Sequence, residues 1–207
     1  MRVERLGLEK LTQALPGCQK KPWRDQVGCR VFRQTDLIQD LPGFIADCML
    51  GRLARWLRIL GWDTWYFRDI SDADLLDLHR ESGRVLLTRD TRLIRSPRVA
   101  GYLLVQGDHW ETQLKQVLGC LNLPIAEGRI MTRCPICNHS LRRGSHDEAR
   151  GRVPDYVIST CRDFQECDHC HKMYWGGTHR AHILRVIRAL GRPGQDAGPL
   201  SHGGDPS

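Results

Sequence analysis

A chain of 207 residues with 41% apolar residues has room for one ordinary packed domain and a small satellite, and no more. It holds no apolar run of the length of about eighteen residues that a membrane helix needs, and its start, MRVERLGLEKLTQ, lacks the unbroken hydrophobic segment of a secretory signal, so a cytoplasmic protein with no membrane partner is expected. The net charge of +7 suits a polyanionic partner, because each phosphate neutralised releases condensed counterions.

Residues 1–42 mix Pro16, Gly17, Pro22 and Pro42 with charges and show no sustained period, which reads as a loosely structured arm with a short helix near Leu6 to Leu15. The texture changes at Gly43. GFIAD is a short apolar run ending in a carboxylate and leads into MLGRLARWLRILG, a strand followed by a helix. At 100° per residue, Leu50, Leu53, Ala54, Leu57 and Leu60 form one apolar stripe, with Arg52 and Arg55 opposite and Arg58 at the edge. Gly61 is a natural helix stop, DTWYF reads as a second strand, and Ser71 or Asp72 can cap a helix closed by Gly83.

RVLLT has the short apolar character of a buried parallel strand and ends in Arg89 and Asp90; GYLLVQ is another strand. A helix beginning at Asp108 or Thr112 carries Trp110, Leu114, Val117, Leu118 and Leu121. This order of elements predicts an α/β domain over residues 43–126 with a parallel sheet. Beyond Pro124 the chain becomes rich in Cys, His and Gly, marking a second module over 127–183, and residues 184–207 have the composition of a disordered tail.

Of nine cysteines, Cys134-Pro-Ile-Cys137 and Cys167-Asp-His-Cys170 form two C-x-x-C turns. Each turn presents two thiolates to one tetrahedral ion, so the pair predicts a structural Zn2+ site in a zinc ribbon. The 29 residues between the knuckles exceed the usual spacing and require a longer hairpin or an insertion. Thiol redox chemistry is the competing reading, but redox motifs stand singly on a strand-to-helix turn. His139, His169 and His171 are neighbouring competitors for ligation, better suited to solvent or phosphate, and Cys161 reads as a spare thiol.

Asp47 and Asp90 each end a predicted parallel strand, and in open α/β sheets the carboxyl ends of strands build the active crevice. Asp72 and Asp74, at the start of the intervening helix, come to the same end if the crossovers are right-handed. Converging carboxylates repel one another unless a cation bridges them, and hard oxygen ligands favour Mg2+ or Mn2+. With a phosphodiester substrate, such ions activate water and neutralise the leaving oxygen, while Arg52, Arg55 and Arg58 supply a positive wall. Each element also has a plainer reading: Asp72 as a helix cap, strand-end aspartates as turn residues, the arginines as a solvated face. Thr88 and Arg89 either orient Asp90 or contact phosphate, or simply end the strand.

The segments FIADCMLGRLARWLRILGWDT, RVLLTRD, RCPIC, RVPDYV, CDHC and YWGGTH occur in that order. The combination resembles the Mut-seven C-terminal RNase family, a PIN-like nuclease domain fused to a zinc ribbon, over about Phe44 to His179. The resemblance implies a PIN-like α/β/α fold and metal-dependent cleavage of RNA, with acidic residues at Asp47, Asp72 and Asp90; Asp74 is a further match and Asp108 the late fourth acid. Arg89 joins the helix arginines as a candidate contact to substrate. The alternative function is a non-catalytic RNA- or ribosome-binding adaptor, in which ribbon and basic helix hold phosphate and the aspartates cap helices.

Overall fold

The computed structural model describes residues 43–176 and 178–190. The expected arm over 1–42, and the end of the expected tail from 191, lie outside the described residues. Strands β1 (Phe44–Ala46), β2 (Thr64–Tyr66), β3 (Val85–Thr88) and β4 (Tyr102–Leu104) pair in the order β2-β1-β3-β4, every pair parallel. Each lies within an apolar run expected to be a strand.

The pleat explains the burial. Phe44, Ala46, Val85 and Leu87 join one apolar core with helices α1 (Gly51–Ile59) and α3 (Trp110–Cys120). Ile45 and Leu86 point the other way, into a second core with Leu75 and Leu76 of helix α2 (Asp72–Ser82). A sheet covered on both faces needs apolar residues at consecutive positions, which is why these strands read as unbroken runs. The architecture is a three-layer α/β/α arrangement with a parallel sheet.

In α1 the stripe of Leu50, Leu53, Ala54, Leu57 and Leu60 is buried and Arg52 and Arg55 are exposed. Trp56 also turns inward, stacking on Trp110 of α3 with centroids 4.5 Å apart and planes within 3°. Gly51 opens α1 because a Cβ there would lie 2.7 Å from the Tyr66 hydroxyl, so only glycine lets the β2 tyrosine lie against the helix start. Ser71 caps α2, accepting the Asp74 amide, and Gly83 closes it in the left-handed region at φ 66°. Buried His79 ties α2 to the sheet: Nε2 accepts from the Ala100 amide, leaving Nδ1 to donate to the Arg84 carbonyl.

Strands β5 (Leu141–Gly144), β6 (Phe164–Cys167) and β7 (Met173–Trp175) form an antiparallel sheet in chain order. The long spacing between the knuckles is taken up by two short helices, α4 (His146–Ala149) and α5 (Asp155–Thr160), whose Ala149 and Val157 pack with Val153 and Phe164 into a small core. A capping box between Ser145 and Glu148 starts α4.

The chain departs from expectation at its end. Helix α6 (Thr178–Ala189) carries Ile183, Val186 and Ile187 onto the α1/α3 core, with Leu190 just beyond it. Residues 184–190 are therefore packed rather than part of a disordered tail, and a span assigned to the ribbon up to 183 ends in a helix that belongs to the first core. The apolar positions recur at helical spacing and find a ready surface beside Trp56, which lies 6.2 Å from the His182 ring. No helix among the described residues is long and apolar enough to cross a membrane.

Candidate active crevice and four-cysteine centre

The strand order reverses direction between β1 and β3: β1 continues to β2 on one side, and the chain then returns to lay β3 on the other. Ligand crevices of open α/β sheets form outside the carboxyl ends of strands at such a switch point. Asp47 follows β1 there and Asp90 follows β3 by two residues. They stand at the same end, joined through one side chain: the Thr88 hydroxyl donates to Asp47 Oδ2 at 2.8 Å and accepts the Asp90 amide at 2.9 Å. Asp47 is buried, and its own amide donates to the Leu87 carbonyl at 2.9 Å, extending the ladder by one residue.

Asp90 Oδ1 accepts the Arg92 amide at 2.7 Å, and this bond, with the Arg92 side chain 3.5 Å away, holds its carboxyl below the ordinary carboxylate range. Cys48, exposed and next in the chain to Asp47, has its thiol pushed up first by a hydrogen bond to Asp47, then by burial and the negative charges of Asp47 and Asp72. Asp72 thus shares the electrostatic neighbourhood of Asp47. Sequence reasoning passed over Cys48; its position beside a strand-end acid was the available signal.

The other acids differ in how free they are. Asp74 is occupied in the α2 cap, where its Oδ2 accepts from the Ser71 hydroxyl at 2.6 Å. Asp108 lies at the crevice end through a 2.6 Å ion pair with Arg89. Among the described residues, the groups of three or more potential ligands within 4.8 Å of one another all contain cysteine, so the carboxylates do not meet as closely as that. Arg52 and Arg55 are exposed on α1.

Arg58 requires a correction. It is only 5% exposed, its Nε donates to the Thr64 carbonyl at 2.8 Å and its Nη1 to the Ile136 carbonyl at 2.7 Å. The helical wheel placed it at the edge of the arginine face, but the first cysteine knuckle covers that edge, and Arg58 is a strut between α1, β2 and the knuckle rather than part of an open positive wall.

The four cysteines of the two knuckles converge, with all four Sγ atoms within 4.8 Å of one another; Cys134 and Cys170 are 3.5 Å apart and Cys137 and Cys167 3.3 Å. A disulfide would bring sulfurs to about 2 Å, whereas four thiolates about 2.3 Å from a tetrahedral Zn2+ stand about 3.8 Å apart. The spacings fit a metal such as zinc. Both turns share one backbone geometry: the residue after the second cysteine has positive φ (Asn138 70°, His171 54°), and its amide donates to the first cysteine's carbonyl (2.9 and 2.8 Å).

The thiols cannot all ionise unaided. Burial and the neighbouring cysteine sulfurs push Cys137 up to about 12, while Cys134, opposed by burial, is drawn down to about 6 by the Tyr174 hydroxyl 3.1 Å away and backbone amides. A divalent ion resolves that conflict. His139 and His169 sit beside the centre with stacked rings 3.9 Å apart, and each offers a nitrogen within 4.8 Å of the Cys137 sulfur.

The first knuckle is bound to the parallel sheet. Asn138 accepts the Thr64 amide at 3.0 Å and donates to Asp63 Oδ1 at 2.7 Å. Asp63 also receives a two-pronged bond from Arg84 (2.9 and 3.0 Å) and lies 3.5 Å from Arg133. The backbone of Thr64 on the unpaired edge of β2, fully buried, is thus satisfied by Asn138 and Arg58, a junction that sequence reasoning did not foresee.

An α/β sheet with acids at its switch point, joined to an antiparallel ribbon with a four-cysteine cluster, defines a nuclease-like domain carrying a metal-binding module. The Mut7-C RNAse domain family model matches residues 42–187, which spans both parts. The chain belongs to that family. No curated protein and no solved structure matches it.

Proposed function

We propose that the protein is a divalent-metal-dependent ribonuclease that hydrolyses RNA phosphodiester bonds at the crevice above β1 and β3, in the reducing cytoplasm. One observation carries the reading: Asp47 and Asp90, 43 positions apart in the chain, stand at one end of the sheet, where the Thr88 hydroxyl donates to the Asp47 carboxylate and accepts the Asp90 backbone amide. Asp47, Asp72 and Asp90 are the residues that would hold Mg2+ or Mn2+, with Asp74 and Asp108 at the margin. Bound there, the ion supplies water activation and neutralisation of phosphodiester charge.

The chain's own contribution is orientation. Thr88 fixes Oδ2 of Asp47, while the Arg92 amide turns the Asp90 carboxylate and keeps it ionised. Arg52 and Arg55 face the solvent from α1 and attract the RNA backbone, and Arg89 orders Asp108. Zn2+ on Cys134, Cys137, Cys167 and Cys170 is structural, since four thiolates leave no open position for water. The nuclease module begins at residue 43 and the ribbon near residue 127, with α6 returning to the first core.

The non-catalytic RNA-binding adaptor has one observation in its favour, the occupation of Asp74 by the α2 cap. Purified protein incubated with labelled single-stranded RNA and Mn2+ separates the two. Hydrolysis that is lost in folded Asp47→Asn and Asp90→Asn supports the enzyme; variants that cleave as fast as the parent sink it, and binding without turnover selects the adaptor.

A further inference from the structure

A cavity of about 570 Å3 lies between edge strand β2 and the first knuckle, away from the two carboxylates. Trp65, Tyr66 and Phe67 line one side, and Arg133, Asn138 and His139 the other. Its volume falls in the range of about 300–1,000 Å3 typical of small-molecule sites, whose walls are mostly apolar with a few placed polar groups. We infer that this groove is a nucleobase-binding subsite that grips single-stranded RNA and leads it to the Asp47 edge of the sheet. The inference rests on RNA as the partner but not on its cleavage.

Five observations converge. Phe67 is 40% exposed and lies outside the buried clusters of the parallel sheet, so part of a large apolar ring stays open to a ligand just beyond β2. The facing side carries an aromatic ring as well, that of His139, held in its orientation by stacking on His169 with planes within 6°. Aromatic side chains on both sides, together with the exposed Ser140 hydroxyl, suit a heterocycle, which has a π face and a polar edge; duplex RNA keeps its bases stacked inside and offers neither.

The spacing of the two sides is prebuilt. Arg58 and Asn138 hold the knuckle at a set distance from β2 through Thr64, so the gap exists without a ligand and no ordering cost falls on binding. The chain's net charge of +7 suits a polyanionic strand, and the lining adds no unpaired acid, since Asp63, its only carboxylate, is held by Arg84, Arg133 and Asn138. Finally, the groove leads to the crevice. Tyr66, one of its lining residues, donates its hydroxyl to the Cys48 carbonyl at 3.0 Å, one residue past Asp47.

The test uses the full chain with zinc bound, in an Asp47→Asn background that removes cleavage, and follows fluorescence anisotropy of a short labelled single-stranded RNA. Phe67→Ala and His139→Ala should each weaken binding by about tenfold, as loss of one stacking surface does, and Phe67→Trp should restore or exceed the parent affinity. Thermal melting checks that the variants are folded. Unchanged affinity in both alanine variants overturns the subsite and leaves the groove to a protein partner; absence of RNA binding by the parent overturns it as well. Retained cleavage in Phe67→Ala on saturating RNA, with weaker binding, separates this subsite from the hydrolytic reading, which stands or falls on Asp47 and Asp90.

Discussion

Thr88 is fully buried and makes two hydrogen bonds that no neighbouring group supplies, one to the Asp47 carboxylate and one from the Asp90 amide. Thr88→Val keeps the shape but leaves a buried carboxylate oxygen and an amide without their partner, a cost of about 1–3 kcal/mol. It should also lower Mn2+ affinity or cleavage by about 10–100-fold, the usual penalty for removing a group that orients a metal ligand, while Thr88→Ser recovers most of both. Urea unfolding and metal titration of the three proteins decide it; a valine variant with full activity shows that the link is incidental. Asp63 supplies a second residue-scale prediction. Burial raises its carboxyl, but hydrogen bonds from Arg84 and Asn138 and the charges of Arg84 and Arg133 outweigh that and hold it below the ordinary carboxylate range. A carboxyl depressed in the folded state stabilises above its unfolded value and loses that contribution as pH falls through the lowered one. The stability gap between the parent and Asp63→Asn should therefore hold constant from about pH 7 to 5 and shrink only below about pH 4. A gap that closes already between those two higher values contradicts the assignment.

At the scale of elements, α1 shows what a helical wheel can and cannot reveal. Its period places Leu53, Ala54 and Leu57 inside and Arg52 and Arg55 outside, as found. The same wheel leaves Arg58 ambiguous, because the covering surface is a knuckle that begins 76 residues later, at Cys134. Arg58→Leu should destabilise the fold by about 2–3 kcal/mol by stranding the Thr64 and Ile136 carbonyls, and Arg58→Lys should not fully rescue it, since one ammonium cannot reproduce a planar fork reaching two carbonyls. The strands and α1 to α3 were legible for a common reason: each carries its signal locally, as an apolar run or a helical period, joined in α2 by the Ser71 cap; α3 begins at Trp110 after His109 with no side-chain cap, so neither Asp108 nor Thr112 starts it. The meeting of Asp47 with Asp90 was legible only through the rule that parallel strands share their carboxyl end. Their bridging by Thr88, and the occupation of Asp74 by its own cap, depend on rotamers that no period encodes. Helix α6 was misjudged because its stripe, Ile183, Val186, Ile187 and Leu190, runs into a Gly- and Pro-rich end whose composition masked it. Ile183→Ala should cost about 2–4 kcal/mol in chemical denaturation if that stripe is core; a cost near zero would return α6 to the surface.

For the whole molecule, the consequential feature is that the cysteine centre and the parallel sheet are not independent. The first knuckle contributes Asn138 and the Ile136 carbonyl, and through them it satisfies Thr64 and Arg58 on the unpaired edge of β2. The four-cysteine cluster fits a metal such as zinc, and four thiolates gathered in one place are held together by the ion that neutralises them. Loss of zinc should therefore be felt in the sheet as well as in the ribbon, and at one nameable atom: the Thr64 amide, whose acceptor is the Asn138 side chain. Hydrogen exchange followed by NMR after zinc is withdrawn by a chelator should show the Thr64 amide exchanging faster by a factor well above that of the Leu87 and Ala46 amides, which sit on central strands with both neighbours in place. Asn138→Ala with zinc still bound should reproduce the Thr64 effect alone, without opening the ribbon. If chelation unfolds β5 to β7 yet leaves Thr64 as protected as before, the ribbon is a tethered module, and the prebuilt walls of the groove beside it have no metal to thank for their spacing.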